Sequence, residues 1–461
     1  MVLAVAAVVA AVAAPASATL RTWDDGAGTH QWFTTTNWNP DGAPASSDEL
    51  RITLAGATVQ TASAVTIGGG GSVLLDASGA TVSLTQYLYI GSPGTGTLTL
   101  DNGALTTASV YLAPAAGSTG VAALSESTST WSTGTSSLYI GSAGTGTLTV
   151  DQGADLTTGQ VTVGNIAGAS GSLSLAANGS TWTADAANAV YVGSSGTGTV
   201  SVSSGADATT GTVYLGFGES GMGTATIDGS GSTWSAGAYP FTVGYYGQGT
   251  LTITGGGGVL SRSGYVGTMD TAQGTVTVDG YGSEWNVDDP SLSSTLRVGA
   301  TGTATLTIRN RGRVYVDGSL EIGPRGTVNL STGGELEVDT LAGTIAGTGR
   351  LNFTSGTLRV TAGSVTIAAN QPLGSSVTLN PGDLLDANTG MTVGSGATLR
   401  VSGGQAQTSA FTNNGSLYVS SGGAVIASAG LTNSAYMNMT SGSTCGSWTA
   451  IRRCMAIRST S

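Results

Sequence analysis

Apolar residues alternate with threonine or serine in short runs along this chain, and the runs return at a fixed spacing. Tyr89-Ile90-Gly91 leads through Ser92-Pro93-Gly94-Thr95-Gly96 into Thr97-Leu98-Thr99-Leu100, and the line recurs from Tyr139-Ile140-Gly141 and from Tyr191-Val192-Gly193. A looser copy begins at Thr242-Val243-Gly244. Read from Ile90 to Ile140, Val192 and Val243, the steps are 50, 52 and 51 residues. The alternation predicts strands with one dry and one wet face. Gly94, Gly96, Asp101-Asn102-Gly103 and Asp151-Gln152-Gly153 punctuate the strands, because such residues accept positive φ or bond locally to the backbone. No part of the repeats has a helical period.

A second echo divides each period. Val110-Tyr111-Leu112, Val161-Thr162-Val163, Val213-Tyr214-Leu215 and Gly264-Tyr265-Val266 lie between the strong copies, with alternating stretches such as Thr224-Ala225-Thr226-Ile227 after them. The unit is therefore about 25 residues, two to each period. Trp131, Trp182, Trp234 and Trp285, spaced 51, 52 and 51, mark every second unit and read as core or corner packing. Units this small bury their apolar face only against neighbours. The prediction is an all-β chain folded as a right-handed parallel β-helix, a β-solenoid, with an N-terminal cap. About 16 coils at ~4.8 Å would make a rod of about 75–80 Å. A β-propeller is the rival, with blades that also repeat near 40–50 residues; halving of the period favours coils.

The ends differ from the middle. Val2 to Ala14 is an unbroken apolar run followed by Pro15-Ala16-Ser17-Ala18, an Ala-x-Ala cleavage pattern, so residues 1–18 read as a secretory signal too short to span a membrane. Residues 19–60, with Trp23, Trp32 and Trp38, are expected to cap the first coil, since an open coil end is an unpaired strand edge. Residues 61–330 form the regular β-helix and 331–440 degenerate coils such as Glu335-Leu336-Glu337-Val338. Residues 441–461 lose the Gly/Thr texture and read as an atypical tail, as a shifted frame or a truncated end would leave. The two cysteines, Cys445 and Cys454, lie there with Arg452, Arg453 and Arg458, and an exported protein could bridge them.

Composition narrows the partners. Of 461 residues 75 are Gly and only 9% are charged, so the surface must be Thr, Ser, Asn and Gly. All 14 basic residues are Arg, and the formal charge of −12 argues against nucleic acid or an anionic membrane as partner. The regular alternation and 39% apolar content exclude disorder.

The Tyr-Ile-Gly, Gly-Thr-Gly-Thr-Leu-Thr-Val and Gly-Ser-Thr-Trp elements resemble the repeat shared by autotransporter (type V secretion) passengers and PEP-CTERM exported proteins. The Trp38 segment is similar to the usual start of those proteins. The likeness is strong over residues 85–310 and weaker over 20–440. It implies a Gram-negative bacterium, export, and a β-solenoid at the cell surface or secreted, associated with the outer membrane where a barrel follows. Two departures stand beside it. No run of amphipathic strands like a translocating barrel follows residue 310. The arginines at 452, 453 and 458 lack the Pro-Glu-Pro signal and apolar span of a PEP-CTERM end.

Candidate chemistry is sparse, and no catalytic residue, metal ligand or cofactor is assigned. His30 is the one histidine, and any Ser-His-Asp or Cys-His site would have to use it; a polar cap residue is the plainer reading. Zinc would need a ligand cluster that the sequence lacks. Glycoside hydrolysis needs two close carboxylates, whereas Asp101, Asp151, Asp228 and Asp279 are single turn residues and the neighbours Asp24-Asp25 and Asp288-Asp289 point apart. Turn chemistry explains the repeated aspartates without metal, with calcium shared between aspartates stacked on every second coil as the minor alternative. The remaining feature is an outward ladder of Tyr89, Tyr111, Tyr139, Tyr191, Tyr214 and Tyr265, with Thr162, Thr242, Arg297 and Glu321 at equivalent places. Such rings either hold extracellular glycans or proteins, or stack on one another and stabilise the sheet. The expectation is an exported, non-enzymatic structural or adhesin-like protein, with a polysaccharide-acting β-helix lyase or hydrolase as the alternative.

Overall fold

The computed structural model describes residues 18–289, 293–342 and 350–446. The expected signal segment up to residue 17, Cys454 with its pairing, and the tail arginines lie outside them. The described chain is a parallel β-solenoid of about 15 turns. Each regular coil contributes a strand to three faces, named here for their marker residues. On the tyrosine face Tyr139 pairs with Tyr111 and Thr162, and on the threonine face Leu148 pairs with Ala122 and Leu173. On the tryptophan face Trp131 pairs with Leu105 and Leu156. These ladders are parallel, which excludes the antiparallel blades of a propeller.

Coil length alternates. From Tyr89 through Tyr111, Tyr139, Thr162, Tyr191, Tyr214 and Thr242 to Tyr265 the steps are 22, 28, 23, 29, 23, 28 and 23 residues. The longer coils carry the tryptophans. Trp131 to Leu138 takes seven residues where Leu105 to Val110 takes five, so the corner widens around the indole. Downstream the coils tighten, with steps of 21, 19 and 20 from Leu385 through Ala406 and Val425 to Cys445. Stacking thus continues into the segment read as a tail, where Cys445 takes a buried inward position.

The core is one continuous column of Leu, Ile and Val. Large and small residues alternate along the tryptophan face: Trp182 lies between Leu156 and Ala208, and Trp234 between Ala208 and Val259. Over Ala208 the rings of Trp182 and Trp234 approach to 5.8 Å. On this face four buried indole N–H groups each donate to a hydroxyl 24 residues earlier, on the preceding coil. The acceptors are Thr107, Thr158, Thr210 and Ser261, at 3.0–3.1 Å from Trp131, Trp182, Trp234 and Trp285.

The glycine of Tyr-Ile-Gly turns each coil from the tyrosine to the threonine face. Gly141 has φ +68°, and a Cβ there would sit 2.0 Å from the Ser170 carbonyl oxygen of the next coil. Ala113 occupies this position in one short coil with φ 54°.

Before the first full coil, Leu20–Trp23 pairs in parallel with Glu49–Ile52 and antiparallel with Trp38–Asn39. Trp23 and Trp32 meet Trp38 edge to face at 5.1 and 5.4 Å. Buried Asp48 fastens this segment, accepting from the Arg21 guanidinium and the Thr19 and Ala45 N–H groups. Burial pushes its carboxyl up, but the Ala45, Arg21 and Thr19 bonds outweigh that and hold it below the usual carboxylate value.

Candidate binding face

The strand register places all six predicted tyrosines in one ladder, with Thr162 and Thr242 between them and Arg297 and Glu321 continuing it beyond Tyr265, at the equivalent places expected. The rings do not form one uniform stack. Tyr89, Tyr111 and Tyr139 lie near-parallel with centroids 5.4 and 4.9 Å apart. Tyr191 and Tyr214 form a second stack at 5.5 Å. Thr162 separates the two groups and is buried between its neighbours, at 5% exposure. Tyr265 stands apart, paired in register with Thr242 and Arg297.

Four aromatic residues outside the ladder enlarge the two groups. Tyr87 lies 6.0 Å from both Tyr89 and Tyr111. Phe217 meets Tyr191 and Tyr214 edge-on at 4.9 and 5.2 Å and stacks on Tyr245 at 5.3 Å, with Tyr246 beyond. Phe217 and Tyr245 follow the corner glycines Gly216 and Gly244, where Gly141-Ser142 and Gly193-Ser194 have serine. That Gly-aromatic pair was the available signal. The face is half-buried, with Tyr87 and Tyr246 at 46% and 40% exposure forming its rims. Burial, then Tyr191 and Tyr245, push the Tyr214 hydroxyl above its ordinary value; burial, then Tyr139, Tyr87 and Tyr89, do the same at Tyr111. Such a surface offers the edges of stacked rings, the outer faces at the ends of each stack, and neutral hydroxyls.

No family model and no curated protein matches this chain. The surface itself is therefore the functional evidence. Among the described residues no helix is long and apolar enough to cross a membrane.

The other sequence candidates fall into place. His30 has φ 59°, and its Nδ1 meets the Asp25 carboxylate, which also accepts the His30 backbone N–H. The turn aspartates bond to neighbouring coils or their own turn: Asp101 accepts from Ser125, Asp228 from Thr254, Asp279 from Arg309 and Asn310, and Asp151 from the Gln152 N–H. Among the described residues no group of three or more His, Cys, Asp or Glu is arranged to hold a metal ion. Asp288 departs from its sequence neighbour. Asp289 is buried and lies 4.0 Å from Arg262, whereas Asp288 reaches Asp317 on the next coil, and Asp339 follows beyond. Burial, then Asp288 and Asp339, push the Asp317 carboxyl up. Sequence reading missed this row because the steps of 29 and 22 residues hide it.

Proposed function

We propose that this chain is an exported surface or secreted β-solenoid of a Gram-negative bacterium with a structural, adhesin-like role, and that its tyrosine face is the contact surface for extracellular glycans or proteins. The observation that carries the reading is the paired aromatic groups on one wet face of a long rigid ladder. Flat sugar faces and partner side chains pack on half-exposed rings whose hydroxyls can hydrogen-bond. The acidic, lysine-free composition and the autotransporter-like repeat support export to a surface rather than a nucleic-acid or membrane partner.

The test replaces Tyr139 and Tyr191 by Thr, the residue already present at Thr162 and Thr242. Binding to extracellular glycan and matrix surfaces should fall at least five-fold. Stacking loss alone predicts a different result: about 0.2–1 kcal/mol less stability per pair with binding unchanged, and that outcome would sink the proposal. A polysaccharide-acting enzyme is a second reading, favoured by the Asp288, Asp317 and Asp339 row. Glycoside hydrolysis uses neighbouring carboxylates, one as proton donor and one as base or nucleophile.

A further inference from the structure

The threonine face is interrupted between Arg350–Phe353 and Ser376–Leu379. Arg350–Phe353 pairs upstream with residues 327–330, but Ser376–Leu379 opens a separate four-stranded sheet. Across the gap the Leu351 N–H donates to the Pro372 carbonyl at 2.8 Å. Pro372 has no N–H with which to continue a ladder. The chain around it turns through bonds from Gln371 N–H to Ala368 and from Gly374 N–H to Gln371. A cleft of about 670 Å³ opens there.

Its lining is mixed. Phe353 holds an inward position opposite buried Leu330, yet remains half-exposed on the cleft. Asn329 and Asn352, joined amide to amide at 2.8 Å, form one wall with Gln371 and Thr354 nearby. Arg350 stands at the edge. Seven arginines of the described chain sit on carboxylates. The Arg350 side chain has no ion pair or hydrogen bond among the described residues, and positions 343–349 before it contain no acid. Of the other described arginines without a carboxylate, Arg325 reaches backbone carbonyls, Arg400 lies over the Tyr418 ring and Arg311 shares its surface with Glu284 and Glu335, whereas Arg350 stands among neutral cleft walls.

We propose that this cleft binds an acidic oligosaccharide, with Arg350 holding the carboxylate of a uronic acid, Phe353 packing on the sugar's apolar face and the Asn and Gln amides taking its hydroxyls. Guanidinium matches carboxylate with two parallel hydrogen bonds, and neutral amides around a single ring suit hydroxyl groups. A single cation among neutral walls fits one carboxylate per sugar better than a densely charged phosphate ligand. The site is separate from the tyrosine face, so replacing Tyr139 and Tyr191 should leave it intact.

Isothermal titration of the full chain with tri-galacturonate and with neutral galactotriose tests the assignment. The acidic trimer should bind saturably and the neutral one at least ten-fold more weakly. Arg350→Gln should lose at least ten-fold for the acidic trimer with an unchanged unfolding midpoint, and Arg350→Lys should recover only part. Equal binding of both trimers, no binding of either, or full binding by Arg350→Gln would overturn it. So would an oligo-glutamate peptide that competes as strongly as the uronate on the unmodified protein, which needs no variant.

Discussion

A buried indole N–H left without an acceptor is costly, and four of them here find one a coil back. The cost of removing the acceptor is desolvation without compensation, about 1–3 kcal/mol. Thr158→Val should therefore destabilise the chain by about that amount in thermal or denaturant unfolding, since Thr158 is buried and receives the Trp182 N–H. Thr158→Ser keeps the oxygen and should cost much less, as Ser261 already serves Trp285. The corner glycine makes the opposite case. Ala113 holds the left-handed conformation that Gly141 and its equivalents adopt freely. Strain of about 1–2 kcal/mol is relieved by Ala113→Gly, against about 0.4–1 kcal/mol of added unfolded-chain entropy and about 0.8 kcal/mol for the buried methyl, so the two sides nearly cancel. Unfolding midpoints should change little for Ala113→Gly and fall steeply for Gly141→Ala, whose new Cβ would meet the Ser170 carbonyl.

At the scale of strands and faces, what stacks outside decides the electrostatics. Upstream the wet faces carry rings and hydroxyls; downstream they carry ion pairs, as in Arg313 with Glu284 and Glu337, and Arg359 with Glu337 and Asp386. The Asp288, Asp317 and Asp339 row lacks that relief. Asp317 has a folded-state pKa above its ordinary 3.8, so its proton is held more tightly in the fold. Its contribution is most favourable at low pH and is lost as pH rises through the folded value. Asp317→Asn should raise the unfolding midpoint at pH 7 and leave it unchanged at about pH 2, where both states are protonated. Asp48 works in the other direction, stabilising above 3.8 and failing as pH falls. Strand register was legible in the sequence because Leu98, Leu148 and their partners alternate strictly with Thr. The dry face, the tyrosine ladder and the buried tryptophans followed from it. The aspartate row and the threonine-face gap were not legible, because both depend on coils of unequal length and on where Pro372 breaks a ladder. The two coil lengths were averaged into one unit of about 25 because the alternation survives in both.

For the whole molecule, the repeat that matters is the pair of coils. Deleting residues 140–191 joins Tyr139 to Val192 and leaves Trp131 followed by an Ala208 coil, so the large-small order survives. Deleting only 140–162 stacks Trp182 directly on Trp131. Overpacking of this kind costs about 1–3 kcal/mol. The longer deletion should keep a cooperative melt and β-rich circular dichroism near the parent's, and the shorter one should melt lower despite removing less.

The spacing of basic residues also bears on proteolysis. Arg51 and Arg262 are consecutive basic residues, so positions 52–261, most of the regular stack with both aromatic groups, offer no peptide bond to a trypsin-like protease. Resistance there does not depend on the fold staying closed. A coil that frays there still presents no Lys or Arg side chain. Enzymes that cut after basic residues would trim the two ends and leave the aromatic surface as one piece.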